Sequence, residues 1–205
     1  MKYLVFDHID ACTQADVERL LPLVSKQRRE QALRFKHLFG QWTCLKAYEM
    51  LLTLFRQNGY LASAEPMPEW QYNRYGKPYI EGLPDFSISH CRQAVAVAIS
   101  ISRQSPIANQ IGIDVESIRE VDNALIERVM NVAEQQQIRE AVSPQEAFTR
   151  LWTQKEAVLK LRGTGIIDNM QDVLATDSMS SCFVQSQTCQ GYCLAIASVE
   201  EFVNL

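Results

Sequence analysis

The chain has 205 residues, of which 47% are hydrophobic and 21% charged, and its formal net charge is −4. This length and composition predict one large globular domain or two small ones, with room for a substantial core. A mildly acidic chain has no general affinity for nucleic acids or anionic membranes, so we expect neither as a partner.

The N-terminal residues 2–9 are predicted to form a strand of the mature protein. The apolar run before Asp7 is too short for a signal peptide or a membrane span. The six cysteines include no C-x-x-C pair. We therefore expect a cytoplasmic protein whose cysteines are reduced thiols, most of them buried as small hydrophobic side chains.

Helices and then strands are predicted over the rest of the first half. The helices run from a capping box at Thr13–Asp16 toward Leu23, from Ser25 to about residue 35, and from Gln41, after a break at Gly40, to Gln57. Strands follow at 86–90 and 94–101, and a linker containing Pro106 is expected at 103–110.

The second half repeats this order of elements. A strand begins at Ile111, a short helix covers about 122–132, and Ser143-Pro144 begins a helix that ends at Gly163. A turn at 177–179 and strands at 182–187 and 192–199 complete the chain. The order suggests an internal repeat, although sequence identity between the halves is too weak to establish one.

Two carboxylates occupy one face of the strand at residues 111–116. Asp114 and Glu116 alternate with Ile113 and Val115, which places the two acids roughly 6.6–7 Å apart along the backbone. Acids so close repel each other unless a cation such as Mg²⁺ binds between them. The alternative is an ordinary strand with acids on its solvent-exposed face.

The helix 143–162 carries a third acid. Trp152, Glu156 and Lys160 share one face at i, i+4 and i+8, and Lys155 lies about 100° to one side. Glu156 can add a ligand to the cation at Asp114, with Lys155 and Lys160 meeting phosphates bound to that cation. The alternative is a surface ion pair between Glu156 and Lys160 beside a core tryptophan.

Four motifs in order resemble the signature of the 4′-phosphopantetheinyl transferase superfamily. They are Tyr75-Gly76-Lys77-Pro78, Phe86-Ser87-Ile88-Ser89-His90-Cys91, Gly112-Ile113-Asp114-Val115-Glu116, and Trp152-Thr153-Gln154-Lys155-Glu156-Ala157 followed by Lys160. The length suits the larger Sfp-like group. The resemblance implies an α+β fold of two pseudo-symmetric lobes, each a small antiparallel sheet packed with helices, here residues 1–104 and 105–205.

The resemblance also implies an activity. Enzymes of this family move the phosphopantetheine arm of coenzyme A to a serine of an apo acyl or peptidyl carrier protein, releasing 3′,5′-ADP. By this resemblance Asp114, Glu116 and Glu156 ligate Mg²⁺. Which carrier is used is left open, and we expect a monomer.

Coenzyme contacts are carried over from the same motifs. The predicted contacts are Arg28 with the 3′-phosphate, Lys77 with the nucleotide end, Ser89 and His90 near the phosphates, and Lys155 and Lys160 at the pyrophosphate. For Arg28 and Lys77 the alternative is an exposed basic side chain. The chain departs from the family pattern at Ser87, where asparagine is preferred, and at Gln31, where a basic residue is common.

The resemblance also implies catalytic residues, although it leaves the general base open. We expect Glu116, Glu156, Lys160 and His90 to act in catalysis, with the serine proton taken by Glu116, Glu156, Glu134 or a water. Two other classes are considered: a Mg²⁺-dependent nuclease, against which the acidic composition argues, and a non-catalytic coenzyme A-binding protein.

Overall fold

A computed structural model of the chain describes residues 1–9, 12–101, 110–175, 179 and 182–200. These residues form six helices and eight strands, which confirms the predicted α+β class. None of the helices in these ranges is long and apolar enough to cross a membrane. All six cysteines lie in these ranges and are free, and four of them are buried.

The first half contains the three predicted helices. Its elements are β1 (Lys2–Phe6), α1 (Gln14–Leu20), α2 (Lys26–Leu33), α3 (Leu38–Gln57), β2 (Gln71–Tyr72), β3 (Pro78–Tyr79), β4 (Phe86–His90) and β5 (Val95–Ile99). Thr13 and Asp16 form the expected capping box. The break at Gly40 is wrong, because Gly40 lies within the first turn of α3, where a β-carbon would come 2.7 Å from the Phe35 ring.

The second half has one helix more than predicted. Its elements are β6 (Ile111–Ser117), α4 (Asn123–Val129), α5 (Val132–Glu140), α6 (Pro144–Arg162), β7 (Phe183–Cys189) and β8 (Tyr192–Ser198). Asn131 caps α5 in a capping box with Glu134, and this signal separates α4 from α5. Ser143 caps α6, and Gly163 ends it in the left-handed conformation, as predicted.

The two main sheets have the same topology. Each has three antiparallel strands, in the orders β1-β5-β4 and β6-β8-β7, so that the last strand of each half lies in the centre. This agrees with the repeated order of elements in the sequence. Three predicted features lie outside the described residues: the lobe boundary between residues 104 and 105, most of the linker, and Asp177 and Ser178 of the turn. The limits of the two lobes therefore remain predictions.

Strand β6 lies between the two halves and has two different faces. Its apolar residues Ile111, Ile113 and Val115 share a core with the first sheet, where Ala96 and Ala98 leave space for their side chains. The opposite face packs against α6. Because alternate residues point to opposite faces, Asp114 and Glu116 lie on the α6 side, away from the shared core.

Candidate functional site

A cleft of about 580 Å³ is lined by residues of both halves, a volume within the range of ligand sites. Helices α2 and α3 and strand β4 form its first wall, and β6 and α6 form the second. The charged or hydrogen-bonding side chains in its lining include Arg28, Gln31, Ser89, His90, Asp114, Glu116, Trp152, Glu156 and Lys160. The cleft therefore collects acids on one wall and cations on both.

Asp114 is the most buried acid of the cleft, with 3% of its surface exposed. Its Oδ1 accepts hydrogen bonds from Ser89 Oγ at 2.7 Å and from Lys160 Nζ at 2.6 Å. Its Oδ2 is buried and has no hydrogen-bond partner among the described residues. A buried carboxylate oxygen without a partner is costly, so this atom is available to a ligand.

Glu116 and Glu156 lie beside Asp114 and are half-buried. Burial, and then the charge of Asp114, raise the pKa of Glu116. The same two causes raise the pKa of Glu156 to about 6, and Glu116 adds to the effect, although Lys160 opposes it. The three carboxylates therefore act on one another electrostatically, as residues that share a site do.

These carboxylates do not form a closed metal cage. Within the described ranges, no three His, Cys, Asp or Glu side chains are grouped so that they could hold a metal ion. One oxygen of Asp114 is already bonded to Lys160. The metal set predicted from the sequence, Asp114, Glu116 and Glu156, therefore lines one cleft without converging on one point, and it remains a prediction.

Lys160 has a different partner from the one expected along its helix. Its ammonium bonds to Asp114 and, at 3.3 Å, to the carbonyl of Ile88 in the first half. Within the described part of the chain, Glu156 forms no ion pair, so the alternative of a surface pair between Glu156 and Lys160 is wrong. Lys160 thus links β6, β4 and α6 at the floor of the cleft.

Arg28 places a positive charge on the first wall, and His90 adds an imidazole to it. Desolvation by the surrounding cleft, and then the charges of Lys160 and Arg28, lower the pKa of His90, and Asp114 opposes this effect. The Arg28 guanidinium lies 4.1 Å from the centre of the Trp70 ring and donates to the Gln31 side chain at 2.9 Å. Arg28 is therefore buried and fixed, and the exposed alternative is wrong for it.

Lys77 is near the cleft but is directed elsewhere. It is absent from the residues lining the main cleft and contributes instead to a smaller neighbouring cavity of about 230 Å³. Its ammonium forms an ion pair with Asp85 at 2.5 Å. The alternative of an exposed Lys77 side chain is therefore wrong. The predicted contact of Lys77 with the nucleotide end of coenzyme A has no support from this placement.

Lys155 and Glu134 lie away from the cleft, in the interior of the second half. Lys155 is fully buried and pairs with Glu134 at 2.8 Å, and it also donates to the carbonyl of Met170. Neither residue lines the cleft. The predicted contact of Lys155 with the pyrophosphate and the role of Glu134 as a base are therefore not supported, because each charge is neutralised by the other.

Trp152 and Gly112 stood in the predicted motifs without a role of their own, and the structure gives each of them one. Trp152 Nε1 donates to Glu116 at 3.3 Å, whereas the sequence suggested only a core contact. Gly112 allows α6 to contact β6 closely. The sequence analysis also missed Asp85, which pairs with Lys77. Asp85, Ser87 and Ser89 alternate along the chain, and this pattern predicts that Asp85 shares a face with Ser89 of the predicted site.

Ser87 is one of the positions at which the chain departs from the family pattern, and its side chain makes a structural hydrogen bond. It is buried, and its Oγ accepts a hydrogen bond from the backbone N–H of Ile113 at 3.0 Å. The smaller side chain thus still bonds β4 to β6, next to Asp114.

Comparison with known proteins gives matches to one family. Residues 110–198 match the family model of the 4′-phosphopantetheinyl transferase superfamily. The chain is 31% identical over 161 residues to the 4′-phosphopantetheinyl transferase psf-1 of Bacillus pumilus, covering 77% of the chain and 65% of the relative. Sfp of Bacillus subtilis is 24% identical over 91% of the chain and 87% of its own length. AcpT of Salmonella typhimurium is 32% identical, over 64% of the chain and 67% of its own length.

Proposed function

This chain belongs to the 4′-phosphopantetheinyl transferase superfamily, and on that premise we propose that it transfers the phosphopantetheine arm of coenzyme A to a serine of a carrier protein. The curated relatives are named 4′-phosphopantetheinyl transferases. The observation that carries the proposal is Asp114, whose buried oxygen has no partner among the described residues and which lines a cleft together with further acids and cations.

The cations of the cleft suit the phosphates of coenzyme A. Arg28 presents a fixed guanidinium, and such a planar group matches the oxygens of a phosphate. Lys160 bonds to Asp114, and His90 directly follows Ser89, which also bonds to Asp114, so we assign Lys160 to the pyrophosphate as a cation and His90 as a hydrogen-bond donor. This arrangement would hold the coenzyme along the cleft, with its reacting phosphorus beside the carboxylates.

The residues present also fit Mg²⁺. The free Asp114 Oδ2 and the half-buried Glu116 and Glu156 supply the oxygen donors that this ion prefers. Mg²⁺ usually keeps several waters and binds through one or two carboxylates together with substrate phosphates, so a closed protein cage is not required. When bound, it would neutralise charge on the pyrophosphate and on the departing phosphate.

The reaction itself is an in-line displacement at phosphorus. The serine oxygen forms a bond to the phosphorus that carries pantetheine, and the bond from that phosphorus to the bridging oxygen breaks. The bridging oxygen leaves with 3′,5′-ADP. The serine proton passes to Glu116 or Glu156, directly or through a water.

The test is incubation of the protein with coenzyme A, Mg²⁺ and a panel of apo carrier proteins, followed by intact-mass measurement. We expect one carrier to gain the mass of phosphopantetheine, and the Glu156→Gln variant to lose this activity. Glu146→Gln, on the same helix but outside the cleft lining, is the matched control and should retain it.

Two results would contradict the proposal. If no carrier gains mass although the protein binds coenzyme A, a non-catalytic coenzyme-binding role replaces it. If Glu156→Gln transfers at the wild-type rate, the carboxylate mechanism is wrong. The cytoplasmic location and the monomeric state remain predictions, and the identity of the carrier stays open.

A further inference from the structure

The ammonium of Lys77 lies where three separate elements meet. Besides the ion pair with Asp85, which precedes β4, it donates to the carbonyl of Ile111 at 3.2 Å and to that of Leu161 at 3.4 Å. Ile111 begins β6, and Leu161 lies in the last turn of α6. One side chain from the first half thus holds both elements that carry the acids of the cleft.

Asp85 also binds the backbone of Ile111, the residue whose carbonyl accepts from Lys77. Its Oδ2 accepts a hydrogen bond from the backbone N–H of Ile111 at 2.9 Å, so Lys77 and Asp85 together bind both backbone groups of Ile111. Strand β6 is at the edge of its sheet, and edge strands have backbone groups without strand partners. Ser87 binds the next such group, the N–H of Ile113.

Lys77 and Asn73 supply hydrogen bonds that the end of α6 needs. The last carbonyls of a helix have no partner within the helix, and a cation there interacts favourably with the helix dipole. Lys77 satisfies the carbonyl of Leu161, and Asn73 donates to that of Gly163 at 2.9 Å. The turn at 73–77 therefore packs on the end of α6.

We propose that Lys77 and Asp85 are positioning residues, forming a clamp that sets α6 against β6 and so places Glu156 and Lys160 beside Asp114. Lys160 directly precedes Leu161, and Asp114 lies three residues after Ile111, so both ends of the clamp are close to the acids. The inference rests on the proposed function, and it replaces the prediction that Lys77 binds the nucleotide.

The experiment compares Lys77→Met, Asp85→Asn and the double variant with the wild type. For each we would measure kcat, the half-saturating Mg²⁺ concentration, and KM for coenzyme A and for dephospho-coenzyme A, which lacks the 3′-phosphate. The matched control is Lys46→Met, because Lys46 and Glu49 form an ion pair of similar exposure within α3, outside the cleft lining.

The clamp predicts one pattern for both single variants. kcat should fall and the half-saturating Mg²⁺ concentration should rise by about tenfold or more, the usual cost of losing a residue that orients a ligand. The ratio of the two KM values should not change. The double variant should be no worse than the more damaged single variant, because both remove one unit. Lys46→Met should change none of these values.

Two outcomes would overturn the inference. In the first, Lys77→Met loses the preference for coenzyme A over its dephospho form while Asp85→Asn behaves as wild type, and Lys77 is then a coenzyme ligand. In the second, the variants match Lys46→Met in every kinetic value, and the pair is then only structural. Should Lys77→Met not fold, wild-type kinetics in Asp85→Asn alone would overturn it.

Failure of the proposed function would be distinguished from failure of the clamp. If the wild type modifies no carrier, the unfolding free energies of the same four proteins still form a double-mutant cycle. Coupling between the two substitutions, together with a joint loss of coenzyme A affinity by calorimetry, would support the clamp. Additive effects would overturn it.

Discussion

Gly112 of β6 faces the backbone of α6 at Ala157, with no side chain between them. A β-carbon at Gly112 would overlap the carbonyl oxygen of Ala157 and lie 2.6 Å from the amide nitrogen of Leu161. Only glycine allows this approach. Glu156 directly precedes Ala157, and Lys160 directly precedes Leu161. The close contact at Gly112 therefore brings both side chains near Asp114, two residues further along β6.

Gly112→Ala should therefore separate α6 from β6. We expect unfolding in urea to show a loss of about 1–3 kcal/mol, the usual cost of overpacking, and transfer activity to fall with it. Gly59→Ala is the control, because its β-carbon would meet nothing within 4 Å and only its positive φ is strained. Wild-type Mg²⁺ dependence in Gly112→Ala would contradict this account of the helix position.

Glu156→Gln should stabilise the metal-free protein while abolishing transfer. Because the folded-state pKa of Glu156 is raised from 4.5 to about 6, its ionised form is disfavoured in the folded protein. Stability should thus fall as the pH rises through this window and remain lower above it. At pH 7 we expect the variant to gain about 1–2 kcal/mol, measured by urea unfolding with a chelator present.

The pH series supplies the control for this prediction. Below about pH 4.5 the glutamic acid is protonated in both states, so the advantage of Glu156→Gln should vanish. An advantage that is the same at pH 4 and pH 7 would show that charge is not its cause.

Lys155→Met should destabilise the fold strongly, because it leaves Glu134 buried without its cation. Breaking a buried pair in this way costs about 3–5 kcal/mol, and replacing both partners costs much less. The double variant Lys155→Met, Glu134→Gln should therefore recover most of the unfolding free energy. A Lys155→Met protein with wild-type stability and a raised KM for coenzyme A would restore the predicted phosphate contact.

Trp152→Phe should weaken the site without unfolding the protein. Phenylalanine can keep the stacking on Phe148, whose ring centre lies 6.3 Å away, but it cannot donate to Glu116. Loss of this bond costs about 1 kcal/mol and should raise the half-saturating Mg²⁺ concentration several-fold. Trp42→Phe, a buried tryptophan outside the cleft lining, should leave that concentration unchanged.

The sequence by itself determined the local structure and one face of the site. Capping residues such as Thr13 and Ser143 and the stop at Gly163 fixed the ends of helices, because they act through neighbouring backbone groups. Alternation along β6 placed Asp114 and Glu116 on one face. Four motifs in order identified the family.

Only the tertiary structure decided which cation meets which acid. Lys160 of α6 pairs with Asp114 of β6, Lys155 of α6 pairs with Glu134 of α5, and Lys77 pairs with Asp85, which precedes β4. Helical periodicity fixes the angle between Lys155 and Lys160 but not the element that each of them faces. That depends on how closely α6 packs on β6, and this contact is made between residues more than forty positions apart in the chain.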